Sequence, residues 1–348
     1  MAFFNKNPFL RLVFVVEGKD NISEFTLRMI AKSLERYNYH TQVTSMPLTI
    51  QNAHNFFCEF YPDVVILNDF IIDPNILGAL IVDHPLCKFF VRDIHSNIMD
   101  PEMGDLFNII IRYIKAGASV LTTSKAVFQF RHILPVYGIE RYIIKWAPDI
   151  IMPQPDFRIP NFFDRERDPF HIGLYVDDIG VSGNIVIPFL GATYFACNNR
   201  QKTVVHLLAE HMVSSDGHMK SIKDLPDHFP LISLRVYDNL KFDNFLSIIP
   251  KMNVVAHLTL TNTESAFCGL GIRSNVPVLR SKQAPTFIKK IGLVEHESVE
   301  SIARGLNQIY KETPFKKSKR LFNQIKWLCE YNHTALDKWK EFLPTLKG

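Results

Sequence analysis

The residues best suited to chemistry lie between two apolar runs in the second half of the chain, at 254–260 and 276–279. A polar cluster follows the first run: Thr261, Asn262, Thr263, Glu264 and Ser265. The pattern predicts a strand, a polar loop, a short helix capped by Thr263 or Ser265, and a second strand. In a parallel sheet the helix would begin at the carboxyl edge, where free amides suit a phosphate. The alternative is an ordinary strand–helix–strand unit with a polar loop.

Metal and disulfide chemistry have less support in the sequence. The five cysteines are scattered, odd in number and form no C-x-x-C pair, which indicates reduced thiols rather than a zinc site or a disulfide framework. Asp177 and Asp178 are adjacent in a predicted strand, so they would point to opposite faces and could not share a cation. We therefore predict no metal site and no tightly bound cofactor.

Composition places the chain among globular proteins. Its 348 residues suit two domains of ordinary size, and its net charge of +4 is compatible with an anionic ligand or a polyanionic partner without requiring one. The first apolar run is short and ends in charges, unlike a signal peptide, and no window is long enough to span a membrane. We expect a cytoplasmic protein, located in the host cytoplasm if the chain is viral.

Strands and helices alternate along the first half of the chain, which predicts an α/β fold with a parallel sheet. Strands are predicted at 12–16, 41–45 and 63–67, and a further strand ends in Asp93 and His95. An amphipathic helix is predicted at 24–37. No G-x-G-x-x-G follows the first strand, so a dinucleotide fingerprint is absent.

The middle of the chain is rich in proline and charge, which is typical of a linker. The alternation of strands and helices then restarts, so two α/β units in series with a cleft between them are predicted. The predicted boundaries are an N-terminal domain, a linker, a C-terminal domain and a final helix that crosses back: 1–155, 156–168, 169–325 and 326–348.

The order of these features resembles the GT-B glycosyltransferases, most closely the retaining family-4 type. The segments SIIPKMNVV, LTLTNTESAF and NVPVL occupy the places of a helix end, a "PS..E.FG" loop and a "G.PV" strand in that family. The resemblance implies two Rossmann-like domains facing a cleft, with C-terminal helices packing back on the N-terminal domain. It also implies transfer of a hexosyl or pentosyl group from a nucleotide sugar, with a UDP-sugar as co-substrate.

The resemblance also implies roles for individual residues. Glu264 matches the glutamate that binds the hydroxyl groups of the donor sugar. His95 stands where many members carry a histidine facing the transferred sugar, and Asp93 would orient it. The implied donor-binding residues are Gly18, Lys19, Ser182, Gly183, Asn184, Arg235, Thr261, Asn262, Thr263 and Ser265.

Two family features are missing. Leu270 or Ile272 stands where a second glutamate would hold the nucleotide ribose. No arginine or lysine follows the first strand of the second half, so Arg235, Lys241, Arg273 or Lys282 would have to supply the charge that faces the diphosphate. A GT-B-like partner subunit that binds no donor is therefore an alternative, and a sugar-nucleotide epimerase of the same fold is a third.

The acceptor has two candidates. One is a hydroxymethylated pyrimidine in phage DNA, with double-stranded DNA as partner, because the chain resembles phage DNA-modifying glycosyltransferases in size and build. The other is a glycan or a lipid-linked acceptor. Arg28, Lys32 and Arg36 are predicted on one side of the first helix and could serve either acceptor. The basic run at 316–320 is typical of a solvated helix start, or of a contact with nucleic-acid phosphates or acidic lipid.

Overall fold

The computed structural model divides the chain into two compact units. The first unit comprises Met1–Lys19, Ser23–Ile150 and Thr334–Gly348, and the second comprises Asp20–Ile22 and Ile151–His333. The structure describes residues 10–18, 22–45, 50–93, 106–123, 125–150, 168–176, 185–209, 223–237, 242–258, 266–281, 292–295 and 297–343. Among these described residues, no helix is both long and apolar enough to cross a membrane.

The first unit contains a six-stranded parallel sheet in the order β2-β1-β3-β4-β5-β6. Its strands are β1 (Arg11–Val16), β2 (His40–Ser45), β3 (Val64–Asn68), β4 (Lys88–Asp93), β5 (Ser119–Thr122) and β6 (Ile144–Trp146). Its helices are α1 (Ile22–Glu35), α2 (Ile50–Phe60), α3 (Pro74–Asp83), α4 (Leu106–Lys115) and α5 (Lys125–Gln129).

Strand β1 shows why this sheet forms. Residues 12–16 are apolar and almost fully buried, because helices cover both faces of the sheet. Val13 and Val15 belong to a core cluster with Ala53 of α2. The chain crosses from β1 to β2 on one side and then to β3 on the other. This reversal creates a switch point at the carboxyl ends of β1 and β3, a place where ligands bind in open α/β sheets.

The end of the last helix, α10 (Pro314–Phe342), belongs to the first unit. Trp339 is fully buried, and its ring centroid lies 6.4 Å from that of Phe14 on β1. Its indole Nε1 donates a 2.8 Å hydrogen bond to the carbonyl oxygen of Pro148. The end of α10 therefore packs on the N-terminal sheet, as the family resemblance implies.

The second unit contains another six-stranded parallel sheet, in the order β12-β11-β10-β7-β8-β9. Its strands are β7 (Phe170–Val176), β8 (Thr203–Ala209), β9 (Ile232–Tyr237), β10 (Val254–His257), β11 (Val278–Ser281) and β12 (Leu293–Val294). Its helices are α6 (Val186–Asn199), α7 (Phe242–Ile248), α8 (Ala266–Arg273), α9 (Val299–Tyr310) and the beginning of α10.

Helix α8 approaches its sheet unusually closely. A Cβ atom on Gly271 would lie 2.4 Å from Cγ2 of Val255 and 3.0 Å from Cγ2 of Val278. Only glycine fits between the helix and strands β10 and β11 at this point. The opposite face of the sheet packs against α6 and α9, whose Phe189 and Ile302 belong to one core cluster.

Several elements differ from the sequence prediction, among them strand β6, which was not predicted. Helices α2 and α3 were not predicted, although neighbouring parallel strands need such crossovers. In α2 the apolar residues recur at helical spacing, at positions 50, 53, 56, 57 and 60, so the sequence carried a helical signal that the prediction did not use. Helix α3 is apolar at most of its positions, so its helical period is weak. Helix α1 ends at Glu35 rather than at residue 37, which leaves Arg36 in the turn that follows.

Candidate functional site

The carboxyl ends of β7 and β10 meet in the middle of the second sheet. The two strands are parallel neighbours, with Tyr175 paired to His257. From β7 the chain crosses to β8 on one side, and β10 lies on the other, so this is the switch point of the sheet. The last described residues of the two strand ends, Val176 and Leu258, therefore follow adjacent positions on neighbouring strands about 5 Å apart.

Both predicted donor-binding segments start at this point. The residues themselves lie outside the described part of the chain: Ser182, Gly183, Asn184, Thr261, Asn262, Thr263, Glu264 and Ser265. The structure thus shows β7 and β10, the strands that precede these residues in the chain. Helix α8 begins directly afterwards at Ala266, as the sequence predicted.

Aromatic side chains fix the first turn of α8 over the strand ends. Phe267 stacks on Tyr175 with a centroid distance of 4.7 Å and an interplanar angle of 15°. Phe245 of α7 contacts both rings edge-on. The His257 ring lies 5.1 Å from that of Tyr175. This buried cluster holds the beginning of α8 at the carboxyl end of β10.

Two polar residues at this edge were not among the predicted site residues. His257 and Arg280 are paired in register on β10 and β11 and are only 5% and 4% exposed. His257 follows Val255 on β10, and Arg280 follows Val278 on β11, in each case by two positions or about 6.6 Å along the strand. Helix α8 runs in the opposite direction, from this edge towards Gly271. A distance of about 6.6 Å along the helix axis spans about four residues, so it reaches from Gly271 back to the first turn of α8. His257 and Arg280 therefore lie beneath the first turn of α8.

The chemistry of this edge suits an anion. A guanidinium keeps its charge at every physiological pH and offers donors in a fork that matches phosphate oxygens. The beginning of an α-helix adds backbone amides and the positive end of the helix dipole. In the sequence, Arg280 directly follows the apolar run at 276–279, so a basic residue at the end of a predicted strand was its signal.

Arg235 lies apart from this edge. It is an exposed residue on the edge strand β9, three strand spacings from β10, which is about 14 Å. It pairs in register with His206 of β8. Nε2 of His206 lies 2.8 Å from Nδ1 of His171, and its Nδ1 lies 3.3 Å from the hydroxyl of Tyr237. Burial, together with the charges of His171 and Arg235, lowers the pKa of His206 to about 4.

In the first unit, Asp93 ends β4 and is fully buried. Its Oδ2 accepts a 2.8 Å hydrogen bond from Oγ1 of Thr122 on the neighbouring strand. His95, which Asp93 was predicted to orient, lies outside the described residues. Arg92 points to the opposite face, where it contacts Thr26, Asn68 and Asp149.

The loop after β1 is fastened to the beginning of α1. Gly18 has a positive φ of 84°, and its backbone amide donates a 2.7 Å hydrogen bond to Oε1 of the buried Glu24. The Gly18 amide is therefore already hydrogen-bonded within the protein. Lys19, its predicted partner in donor binding, lies outside the described residues.

The predicted acceptor-binding residues are on the surface of the first unit. Arg28 and Lys32 are exposed on α1, four residues apart on one face, and Arg36 is exposed just after the helix ends. In the described part of the chain, no group of three or more His, Cys, Asp or Glu side chains could hold a metal ion.

No protein-family model and no curated protein sequence matches this chain, but solved structures share its fold. The UDP-forming α,α-trehalose-phosphate synthase from Burkholderia xenovorans is 11% identical, with a TM-score of 0.63 over 98% of this chain and 99% of that chain. The Anabaena protein HepE in complex with UDP is 12% identical, with a TM-score of 0.59 over 96% and 100%. Sucrose-phosphate synthase from Thermosynechococcus elongatus is 11% identical, with a TM-score of 0.63 over 97% and 99%. The chain therefore has the fold of the GT-B glycosyltransferases, two α/β domains each built on a parallel sheet.

Proposed function

We propose that this protein transfers a sugar from a nucleoside-diphosphate sugar, with a UDP-sugar as the donor. The observation that carries this proposal is the meeting of β7 and β10, which starts the two polar donor segments side by side. The fold supports it, since solved structures of that fold include UDP-forming synthases and a complex with UDP.

In the second unit, segments 182–184 and 261–265 hold the diphosphate, and Glu264 binds the hydroxyl groups of the donor sugar. The leaving diphosphate carries growing negative charge, which needs a cation nearby. Arg280 is better placed for this role than Arg235, because it lies next to β10 beneath the first turn of α8.

In the first unit, His95 faces the transferred sugar and Asp93 orients it, following the family pattern. Asp93 ends β4 at the carboxyl edge of the sheet, where the Thr122 hydroxyl fixes its carboxylate. For Gly18 and Lys19, a role in donor binding is proposed on the family likeness alone, because the Gly18 amide already donates to Glu24. A retaining stereochemical outcome follows from the family-4 likeness.

Thermal unfolding with a panel of nucleoside diphosphates and UDP-sugars tests the donor. A ligand at a hundred times its dissociation constant should stabilise the protein by about 2.7 kcal/mol. The stabilisation by UDP should be lost in Arg280→Met and kept in Arg304→Met, which changes an exposed arginine of α9. Because Arg280 is buried, circular dichroism must show that the variant folds, and Glu264→Gln provides a second variant that should abolish transfer. Absence of stabilisation by every nucleotide would refute the donor proposal.

A non-catalytic partner subunit is the second candidate, and one observation favours it. Both positions at which the ribose-binding glutamate would stand hold core residues, since Leu270 and Ile272 are buried in α8. A subunit of this kind would show no UDP stabilisation and no release of UDP from UDP-sugars. An enzyme would show both, with the ribose recognised by other groups.

For the acceptor, we propose a hydroxymethylated pyrimidine in DNA, contacted by Arg28, Lys32 and Arg36. Their exposure on one side of the first unit supports a phosphate contact. Retention on hydroxymethylated duplex DNA should fall steeply with salt, and Arg28→Ala with Lys32→Ala should lower the slope of log affinity against log salt by about 2. Salt-independent or absent retention would favour a glycan or lipid-linked acceptor instead.

A further inference from the structure

The first half of α10 presents two unburied aromatic side chains on one face. Phe315 and Phe322 are 77% and 64% exposed. They are seven residues apart, so they point the same way and are separated by about 10 Å along the helix axis. The inner face of the helix is already filled by Leu321, Trp327 and Leu328. The two phenylalanines are therefore not needed to attach the helix to the protein.

Lysines alternate with the phenylalanines along this face. Lys319 and Lys326 each follow a phenylalanine by four residues, so they belong to the same stripe, and Lys316 flanks its beginning. All three lysines are exposed. We call this stripe the Phe-Lys face: Phe315, Lys316, Lys319, Phe322 and Lys326.

Carboxylates are missing from this part of the chain. Residues 313–329 contain no Asp or Glu. Glu312 is engaged with Arg320, and Glu330 lies 3.9 Å from Lys326 at the far end of the face. Lysines in the first turns of a helix oppose its dipole, which favours negative charge there. The local sequence thus concentrates positive charge where helix stability alone would disfavour it.

We propose that the Phe-Lys face docks on an anionic lipid surface. Phenylalanine side chains can insert at the boundary between headgroups and acyl chains, while lysine stems extend to the lipid phosphates. A nucleic-acid duplex would satisfy the lysines but would leave both phenylalanines in water. A second copy joined symmetrically through the same face would bring like charges together. Charge and shape therefore favour the membrane, and the inference is independent of the proposed donor and reaction.

Vesicle co-sedimentation of the full chain tests this docking. We expect binding to vesicles of phosphatidylcholine with phosphatidylserine, weakening with salt, and no binding to phosphatidylcholine alone. Each lysine near an anionic surface contributes about a fivefold gain, so Lys316→Gln with Lys319→Gln should lower partitioning roughly 25-fold. Phe315→Ser with Phe322→Ser should lower it at least about tenfold.

Two control variants test whether vesicle binding depends on the Phe-Lys face rather than on any exposed lysine or apolar side chain. Lys202→Gln with Lys251→Gln removes two exposed lysines elsewhere, and Leu86→Ser with Val136→Ser removes two exposed apolar side chains. Both controls should bind vesicles like the unchanged protein. Equal losses in controls and test variants, or no binding to anionic vesicles, would overturn the proposal. So would DNA retention that depends on the lysines alone, or self-association that the phenylalanine substitutions abolish.

Discussion

Acidification should destabilise the second unit through one buried imidazole. His206 is 3% exposed on β8, between the His171 ring and the stacked ring of Tyr237. Burial lowers its pKa most, and the charges of His171 and Arg235 lower it further, from the ordinary 6.5 to about 4. The folded protein therefore holds His206 neutral at a pH where the unfolded chain binds a proton.

The sign follows from proton binding in the two states. Between the two pKa values the unfolded chain binds more protons, so the free energy of unfolding falls as the pH falls. The contribution is fully present above pH 6.5 and is lost as the pH approaches 4. A difference of about 2.5 pKa units is worth about 3 kcal/mol, of which about 2 kcal/mol should be lost between pH 7 and pH 5.

Urea unfolding followed by circular dichroism at pH 7 and pH 5 measures this loss. The protein should lose about 2 kcal/mol more than His206→Gln between the two values, because glutamine keeps a polar side chain but does not titrate. His132→Gln, an exposed histidine of the first unit, is the control for removing an imidazole. If the protein and His206→Gln lose the same stability on acidification, the buried neutral imidazole is not responsible.

Three further predictions concern packing and buried charge. Gly271→Ala should lower stability by about 1–3 kcal/mol, because its Cβ would overlap a valine of β10, whereas Gly78→Ala, with room around its Cβ, should be neutral or stabilising in thermal unfolding. Arg92→Met should cost about 3–5 kcal/mol in urea unfolding, because it removes the guanidinium from the largely buried Asp149 carboxylate. Unchanged stability would show that the pair is not needed. Trp339→Ala should cost about 3–5 kcal/mol and release the end of α10, so hydrogen exchange in that helix should rise.

Local patterns in the sequence were sufficient for the fold class. The buried run of β1 and the alternation of strands and helices predict parallel sheets, because strands covered on both faces are continuously apolar. The order of motifs predicted the GT-B architecture, which the solved structures confirm. The helix at 266–273 was predicted from the polar cluster before it and the short glycine-containing segment that follows. Helix α2 was missed although its apolar residues recur at helical spacing, whereas α3 was missed because it is apolar at most positions and has a weak helical period.

Which strands are neighbours was decided by the tertiary structure alone. Tyr175 and His257 are 82 positions apart, and the crossovers that bring β7 beside β10 leave no local pattern in either strand. That pairing brings together the ends of the two strands that precede the proposed donor segments, and the next pairing places Arg280 beside His257. The lowered pKa of His206 likewise depends on burial and on two side chains from other strands. The sequence alone thus determined the kinds of elements and the polar residues that follow them. Strand order determined which of those residues meet, because it is set by packing across the whole sheet.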